Sequence, residues 1–307
     1  MKVHKIIIGS RGSQLALWQA NWVKTELEYL YNNIDINIRV ITTSGDKIQD
    51  VPLANIGGKG LFVKEIEEAL LAKEIDLAVH SMKDVPMELP AELGISVITK
   101  RENPLDALIS YKGEILSNLP NGATIGTSSL RRSSQLLKYR ADFKILPLRG
   151  NVDTRLRKVK EGNYDAILLA SAGLNRLGWA NRITEEISHE ILLPAMGQGA
   201  LGIETRLGDT KTYDLISPLN HNKTHYAVSA ERALVTKLNG SCQVPIGAYG
   251  KIENGLIILK GLVASLDGKT IYKSEKIGPV DDGIKVGQEL GNQLLKMGAN
   301  HILENLI

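Results

Sequence analysis

This sequence has little of several residue types that define common protein classes. It contains one cysteine in 307 residues, Cys242, which excludes an intrachain disulfide and any metal site built from several cysteines. Aromatic residues make up 5% of the chain, and no apolar run approaches the roughly 18–20 residues needed to cross a bilayer. The net charge of +3 is too small for the basic stripe of a nucleic-acid-binding protein. What remains is a globular composition, 43% hydrophobic and 23% charged.

Length and the N-terminal residues predict the number of domains and the compartment. Single domains usually hold about 100–150 residues, so we expect two or three domains in this chain. The first apolar run, residues 6–8, is too short for the core of a signal peptide. We therefore expect a cytoplasmic protein.

Two successive segments show the same alternation of strands and helices. Residues 5–9 predict a strand, Ser13 the start of a helix, and residues 75–79 a later strand. Three pairs of segments correspond in order: 7–10 with 124–127, 13–16 with 134–137, and 75–81 with 164–171. This repeat predicts an α/β protein with two doubly wound lobes.

The last segment predicts a different architecture. Residues 229–238 form an amphipathic helical pattern that ends before Gly240. The hairpin signals Asn254-Gly255 and Asp267-Gly268 separate three strand patterns, which predicts an antiparallel meander over residues 248–277. A final helix carries the apolar residues Val286, Leu290, Leu294 and Met297. We expect an α+β domain that carries Cys242 in the loop between its first helix and its sheet.

Seven basic residues lie just beyond predicted strand ends. They are Arg11, Lys83, Arg131, Arg132, Arg149, Arg155 and Arg176. Ligands of open α/β sheets bind outside the carboxyl ends of the strands, where helix N-termini also attract anions. Arginine adds bidentate recognition of carboxylates. Any one of these residues alone is most simply a solvated surface charge, but the set predicts one binding region for a polyanionic ligand.

Asp84 and Cys242 each have two interpretations. Asp84 lies beside Lys83, and a carboxylate among many cations should stay ionised and stabilise positive charge; a turn-forming aspartate before Pro86 is the alternative. A lone cysteine is usually a small buried apolar residue. Here Gly240 and Pro245 flank Cys242 in a loop, which favours a functional thiol, although the sequence suggests no histidine as its base.

Three apparent motifs are set aside. The G-x-G-x-x-G pattern at residues 197–202 does not open a βαβ unit, so it does not predict dinucleotide binding. Residues 57–60 resemble a phosphate loop but lack its first glycine and its Ser/Thr, and a flexible loop explains them better. His221 and His225 lack the glutamate of a zinc helix and are read as a loop or helix start.

Several long motifs resemble the porphobilinogen deaminase (hydroxymethylbilane synthase) family. Residues 231–248, ERALVTKLNGSCQVPIGA, look like its cofactor loop. Further matches follow in the family's order and cover essentially the whole chain: residues 9–13, 80–84, 126–132, 148–155 and 197–201. One departure is Ser241, where the family usually has glycine.

The resemblance implies a specific transferase. Members join four porphobilinogen molecules head to tail into the linear tetrapyrrole hydroxymethylbilane, a step of heme biosynthesis, and release ammonia. They elongate a dipyrromethane primer that a thioether holds on the cysteine, here Cys242. The acetate and propionate groups of each pyrrole explain the arginines, and Asp84 would stabilise the cationic azafulvene that deamination produces.

The resemblance also implies roles for the other residues and a domain plan. Primer binding falls to Lys83, Thr127, Ser129, Arg131 and Arg132, and substrate binding to Arg11, Ser13, Arg149, Arg155 and Arg176. The two lobes would resemble periplasmic binding proteins. The implied domains are 1–99 with 200–217, then 100–199, then 218–307.

Two other classes compete with the enzyme. A non-catalytic anion-binding protein would use the same two lobes but gives no reason for the cysteine domain. A nucleic-acid module is disfavoured because the arginines lack interleaved aromatic residues. We expect a monomer that acts on a small molecule, with no metal, no nucleic-acid partner and no membrane association; the intact mass separates the classes, because only the enzyme carries a two-pyrrole adduct.

Overall fold

The computed structural model describes residues 4–47, 63–240 and 244–304. Its strands are β1 (His4–Ser10), β2 (Ile34–Val40), β3 (Leu77–Ser81), β4 (Leu93–Ile98), β5 (Asp106–Ser110), β6 (Thr124–Gly126), β7 (Lys144–Leu146), β8 (Ala166–Ala170), β9 (Glu185–Ile187), β10 (Leu201–Arg206), β11 (Ile246–Glu253), β12 (Leu256–Ala264) and β13 (Ile271–Pro279). Its helices are α1 (Gln14–Leu30), α2 (Ser44–Lys47), α3 (Lys64–Leu71), α4 (Leu130–Tyr139), α5 (Val152–Lys160), α6 (Ser171–Arg176), α7 (Thr210–Ile216), α8 (Asn222–Lys237), α9 (Gly283–Leu294) and α10 (Asn300–Glu304).

The first lobe is built on a mixed sheet with the strand order β2-β1-β3-β10-β4. Strands β1, β2 and β3 are parallel, whereas β10 runs antiparallel to both of its neighbours. The predicted helix start at Ser13 is confirmed, because the Ser13 hydroxyl accepts a hydrogen bond from the Ala16 amide at 3.3 Å. Helix α1 buries Val23 and Leu27 against Ile8 and Leu77 of the sheet.

The second lobe repeats this arrangement with the order β7-β6-β8-β5-β9. Here β6, β7 and β8 are parallel, and β5 is the antiparallel fourth strand. The predicted repeat of two α/β lobes is confirmed, with each sheet mixed rather than purely parallel.

One predicted correspondence within the repeat is wrong by five residues. Ser129, not Ser134, caps helix α4 as Ser13 caps α1. Buried Gln19 and Gln135, each six residues beyond its cap, support the corrected register. The sequence comparison missed it because serine occurs at both positions 129 and 134.

The C-terminal meander is confirmed as β11-β12-β13, an antiparallel sheet. Asn254 and Gly255 both have positive φ, 50° and 72°, as the tight hairpin turn requires. Helix α8 begins seven residues before the predicted start. Helix α9 buries Val286, Leu290 and Leu294 and ends at Leu294, whereas Met297 is exposed in the irregular turn that follows, next to Gly298, where φ is 114°.

The chain divides into two compact units, residues 1–101 with 200–225 and residues 102–199 with 226–307. The return of the chain to the first sheet after residue 199 agrees with a discontinuous first lobe. The second unit joins the second lobe with the C-terminal residues, and the three-domain boundaries stay a prediction. Of the helices in the described ranges, none has both the length and the apolar character needed to cross a membrane.

Candidate active site

In the first lobe, four predicted site residues lie at the carboxyl edge of the parallel strands. Arg11 follows β1 directly and Ser13 begins α1, while Lys83 and Asp84 lie in a single 3-10 turn after β3. Strands β1 and β3 are parallel neighbours, so their ends meet at one edge. Arg11, Ser13 and Lys83 are partly buried, and Asp84 is exposed. This edge therefore presents two cations, a hydroxyl and a carboxylate.

The turn that carries Lys83 and Asp84 is anchored to its lobe. The Met82 amide donates to the Ala200 carbonyl at 3.0 Å, and Met82 itself is fully buried. One residue earlier, the Ser81 hydroxyl accepts from Nε2 of buried Gln19 at 2.9 Å. The residues that lead into the turn are thus held by the sheet and by α1, and buried Val85 follows the turn, so the backbone that carries Asp84 is fixed at this edge.

In the second lobe, the equivalent edge begins helix α4. The Thr127 hydroxyl accepts from the Ser129 amide at 3.1 Å, and the Ser129 hydroxyl accepts from the Arg132 amide at 3.4 Å. The Ser128 hydroxyl exchanges hydrogen bonds with the backbone of Leu148, which links the ends of β6 and β7. The loop before α4 is therefore a set of hydroxyl groups fixed against the backbone.

Arg131 and Arg132 are buried and share one carboxylate, Asp106, which the sequence analysis did not consider. Asp106 is fully buried, and the two arginines are 5% and 6% exposed. Arg131 donates to both carboxylate oxygens, at 2.7 Å and 3.2 Å, and Arg132 donates to Oδ1 through Nε at 2.9 Å and Nη2 at 2.7 Å. Burial by itself would raise the pKa of Asp106, but the two guanidinium groups outweigh it and hold that pKa well below its usual range.

Each of these arginines also donates to a backbone carbonyl. Arg131 Nη1 donates to Leu193 at 2.8 Å, and Arg132 Nη1 donates to Leu168 at 3.0 Å. Gln198 completes the cluster, because its Nε2 donates to Oδ1 of Asp106 at 3.1 Å and to the Pro104 carbonyl at 2.6 Å. We call Arg131, Arg132, Asp106 and Gln198 the Asp106 cluster.

Three further arginines lie at the same end of the second sheet. Arg149 follows β7, and Arg155 lies one turn into α5 with its Nε donating to the Gly150 carbonyl at 2.7 Å. Gly150 has a φ of 108°, a conformation that favours glycine. Arg176 ends α6 and donates to the Gly199 carbonyl at 2.6 Å. Burial lowers the pKa of Arg176 to about 10, against the opposing charge of Glu102, so this arginine remains charged at neutral pH.

The structure also resolves the motifs that were set aside. Residues 197–202 form a turn with positive φ at Gly197 and Gly199 and then enter strand β10, so no phosphate-binding helix follows. His221 and His225 lie at the start of α8, where the ring of His221 accepts from the Thr224 amide. No group of three or more metal-ligating side chains occurs in the described part of the chain. Cys242 and residues 57–60 lie outside the described residues.

Two functional candidates escaped sequence reasoning. Asp106 is the one acidic residue in the otherwise apolar strand pattern LDALI, and a charge inside such a pattern signals a buried partner. Glu231, inside the cofactor-loop match, is fully buried and accepts from the Gly197 and Gly250 amides, each at 2.7 Å. Its neighbours in sequence gave no signal of this, because the two amides come from distant segments.

Each lobe, taken by itself, places cations and hydroxyl groups where an anion could bind. The first lobe adds the exposed carboxylate of Asp84. Each lobe gathers its cations where parallel strands end, as the sequence predicted, and the second lobe contributes most of the arginines. Such edges bind carboxylates through charge-assisted hydrogen bonds. Asp84 is the exposed acid within this cationic surrounding of the first lobe.

Family models match most of the chain. Residues 6–214 match "Porphobilinogen deaminase, dipyromethane cofactor binding domain", and residues 225–296 match "Porphobilinogen deaminase, C-terminal domain". The chain belongs to the porphobilinogen deaminase family.

Curated relatives match it over almost its whole length. A protein of Trichlorobacter lovleyi named porphobilinogen deaminase is 54% identical over 306 residues, covering 100% of this chain and 98% of that protein. A protein of the same name from Geobacter metallireducens is 54% identical over 303 residues, covering 99% and 95%. The resemblance stated from the motifs is thereby confirmed.

Solved structures of binding proteins match the chain at low similarity. The probable amino-acid ABC transporter extracellular-binding protein ytmK of Bacillus subtilis is 13% identical, with a TM-score of 0.42 over 71% of this chain and 90% of that chain. The aliphatic sulphonate binding protein of Escherichia coli is 16% identical, with a TM-score of 0.41 over 78% and 71%. At these scores the similarity carries no functional meaning, and the fold class rests on the strand orders given above.

Proposed function

We propose that this chain is a transferase that deaminates porphobilinogen and joins four molecules of it into hydroxymethylbilane, elongating a dipyrromethane primer on Cys242. The observation that carries the proposal is the match, over nearly the whole chain, to proteins named porphobilinogen deaminase. The cationic strand ends of both lobes support it, because every pyrrole unit of the substrate carries two carboxylates.

The residues around α4 fit the primer. The Asp106 cluster contains two guanidinium groups and one carboxylate, so it keeps a net positive charge in a buried place. Each guanidinium has five N–H groups and uses three of them within the described residues, which leaves donors for an acidic ligand. Lys83, Thr127 and Ser129 complete the set that we assign to the primer.

The remaining cations are assigned to the incoming pyrrole and the growing chain. These are Arg11, Arg149, Arg155 and Arg176, together with Ser13. Losing one charged hydrogen bond typically costs about 1.5–3 kcal/mol, which is roughly tenfold or more in binding or rate.

Asp84 is assigned to the chemistry. When bound, the primer supplies the nucleophilic pyrrole carbon that is extended. Loss of ammonia leaves positive charge on the incoming pyrrole, and a preorganised carboxylate at the pyrrole N–H groups stabilises that charge. The turn Met82–Asp84 fixes the backbone that carries this carboxylate.

The intact mass of the purified protein tests the proposal. We expect the parent chain to carry an adduct of two pyrrole units, and Cys242→Ser to have the bare mass and no activity. Arg132→Leu should lose the adduct, and Arg149→Leu should keep it while losing turnover. A Cys242→Ser variant that remains active would contradict the proposal.

The same measurement separates the competing class. A non-catalytic anion-binding protein predicts the bare mass for the parent chain. Size-exclusion chromatography with light scattering checks the expected monomer, and porphobilinogen is the small-molecule partner we assign. A cytoplasmic location and the absence of a nucleic-acid partner are part of the proposal.

A further inference from the structure

The Asp106 cluster occupies positions that the first lobe fills with apolar residues. Counted from the helix caps Ser13 and Ser129, the equivalents of Arg131 and Arg132 are Leu15 and Ala16. In the second lobe, Asp106 pairs with Ala170, the last residue of β8. In the first lobe, Leu201 pairs with Ser81, the last residue of β3, so Leu201 is the equivalent of Asp106. The same fold therefore forms with no charge at any of these three positions.

This comparison separates the cluster from the requirements of the fold. A buried ion pair is weak support for stability, because well-packed apolar residues of similar volume often serve as well or better. In the first lobe, Leu201 is 2% exposed at the position of Asp106, while Leu15 and Ala16 are partly buried at the positions of the two arginines. The cost of burying two guanidinium groups in the second lobe thus points to a use outside folding.

We propose that Asp106 is a positioning residue, which holds the guanidinium groups of Arg131 and Arg132 in one arrangement and reduces their joint charge to a single positive one. It acts through these arginines and does not touch the ligand. The inference rests on the proposed function, in which the two arginines bind the acidic side chains of the primer.

Topology explains why Asp106 can do this. Strand β5 is antiparallel to β8, so its first residue lies at the edge where β6 and β8 end and α4 begins. The two carboxylate oxygens of Asp106 accept different numbers of hydrogen bonds. Oδ1 accepts from Arg132, from Arg131 Nη2 and from Gln198, whereas Oδ2 accepts only from Arg131 Nη1 among the residues that the structure describes.

Because the two oxygens have different donors, we expect Asp106→Asn to affect Arg131 and Arg132 differently. An asparagine can place its amide oxygen at the Oδ1 position and keep Arg132, but its NH₂ group then faces Nη1 of Arg131, donor against donor. We expect Arg131 to be displaced while Arg132 stays. Asp165→Asn is a matched control. Asp165 accepts a hydrogen bond from the Thr124 amide at 2.7 Å beside the same sheet, and it does not contact these arginines.

The test follows acquisition of the primer. Parent and variant chains are produced in cells that lack porphobilinogen, and the intact mass is then followed during incubation with porphobilinogen at several concentrations. For Asp106→Asn we expect the half-saturating porphobilinogen concentration to rise about tenfold or more, with a smaller change in the rate at saturation. Asp165→Asn should match the parent.

A triple variant addresses the case in which Asp106→Asn does not fold. Asp106→Leu, Arg131→Leu and Arg132→Ala together install the residues of the first lobe, and we expect a folded chain whose Tm is close to that of the primer-free parent and which acquires no adduct. Unfolding of the triple variant would assign the cluster to structure and overturn the inference.

The outcomes separate this inference from the function it rests on. If the parent chain acquires no two-pyrrole adduct, the proposed function fails. If the parent acquires it and folded Asp106→Asn does so with the same half-saturating concentration, only the positioning role of Asp106 is overturned.

Discussion

Among the single residues, Asp84 is the one that we propose for the chemistry. It is exposed at the end of the anchored turn Met82–Asp84, directly beside Lys83. A fixed negative charge at this point can stabilise a cationic pyrrole, whereas its shape alone cannot. Substitutions that keep either the shape or the charge therefore separate the two contributions.

We predict that Asp84→Asn lowers the rate of porphobilinogen consumption in a single turnover by about 10²–10³, the usual cost of removing a preorganised electrostatic group. Asp84→Glu keeps the charge in a displaced position and should retain part of the turnover. Mass analysis of the protein during the reaction would reveal enzyme–pyrrole intermediates.

Asp35→Asn is the control for Asp84, because Asp35 is an exposed carboxylate on β2 of the same lobe. It should leave the rate unchanged. If Asp84→Asn elongates its primer at close to the parent rate, charge stabilisation by Asp84 is not the mechanism.

At the scale of secondary structure, Glu67 on helix α3 lies near His80 and Glu204, a buried pair of side chains in the first sheet. His80 Nε2 and Glu204 Oε2 lie 2.9 Å apart on paired strands, and both side chains are buried. Glu204 Oε1 has no hydrogen-bond partner among the described residues. Burial and then the charge of Glu204 raise the pKa of Glu67 on α3 to about 7, while His80 opposes the shift.

This raised pKa makes the stability of the first lobe depend on pH. The ordinary value for glutamate is 4.5, so folded Glu67 holds its proton more tightly than the unfolded chain does. The contribution is therefore fully present below about pH 4.5 and is lost as the pH rises through 7. Deprotonation of Glu67 in the folded state places its negative charge near that of Glu204.

We predict that Glu67→Gln, which cannot titrate, unfolds at a higher urea concentration than the parent at pH 8. The difference should shrink as the pH falls and vanish near pH 4.5. Glu28→Gln is the matched control, because Glu28 is an exposed glutamate on α1 of the same lobe and does not contribute to the raised pKa of Glu67. A constant difference between Glu67→Gln and the parent from pH 4.5 to 8 would contradict the pKa assignment.

At the scale of the molecule, Glu231 connects segments that are far apart in sequence. From helix α8 its carboxylate accepts from the amide of Gly197, in the segment before β10, and from the amide of Gly250 in β11. Both bonds are 2.7 Å long and buried. This one side chain therefore ties the connecting segment and the C-terminal sheet to the helix that leads towards Cys242.

We predict that Glu231→Leu lowers the free energy of unfolding by about 2 kcal/mol or more, because it leaves two buried amides without their acceptor, at about 1–3 kcal/mol each. Glu231→Gln keeps one acceptor oxygen and should be milder. Urea titration measures both, and exposed Thr236→Ala on the same helix should be neutral. Equal stability of Glu231→Leu and the parent would show that the amides find other partners.

Local patterns were sufficient to predict several helices and strands of this fold, but not β4, β5, β9 or β10. The cap at Ser13, the Asn254-Gly255 turn and the apolar spacing of α9 depend on neighbouring residues, and all three are confirmed. The location of the cations at strand ends also followed from sequence, because parallel strands end at a common edge. The apolar spacing did not show that α9 ends at Leu294, so that Met297 lies in an irregular turn rather than in the regular helix.

Sequence by itself determined the family, the two α/β lobes with their C-terminal sheet, and the residues proposed for the site. Only the tertiary structure decided that Arg131 and Arg132 are buried on Asp106 and that Glu231 joins Gly197 to Gly250. Glu231 lies 34 positions from Gly197 and 19 positions from Gly250, and Arg131 lies 25 positions from Asp106. No local periodicity encodes such a pairing, because it depends on which strands become neighbours when the chain folds.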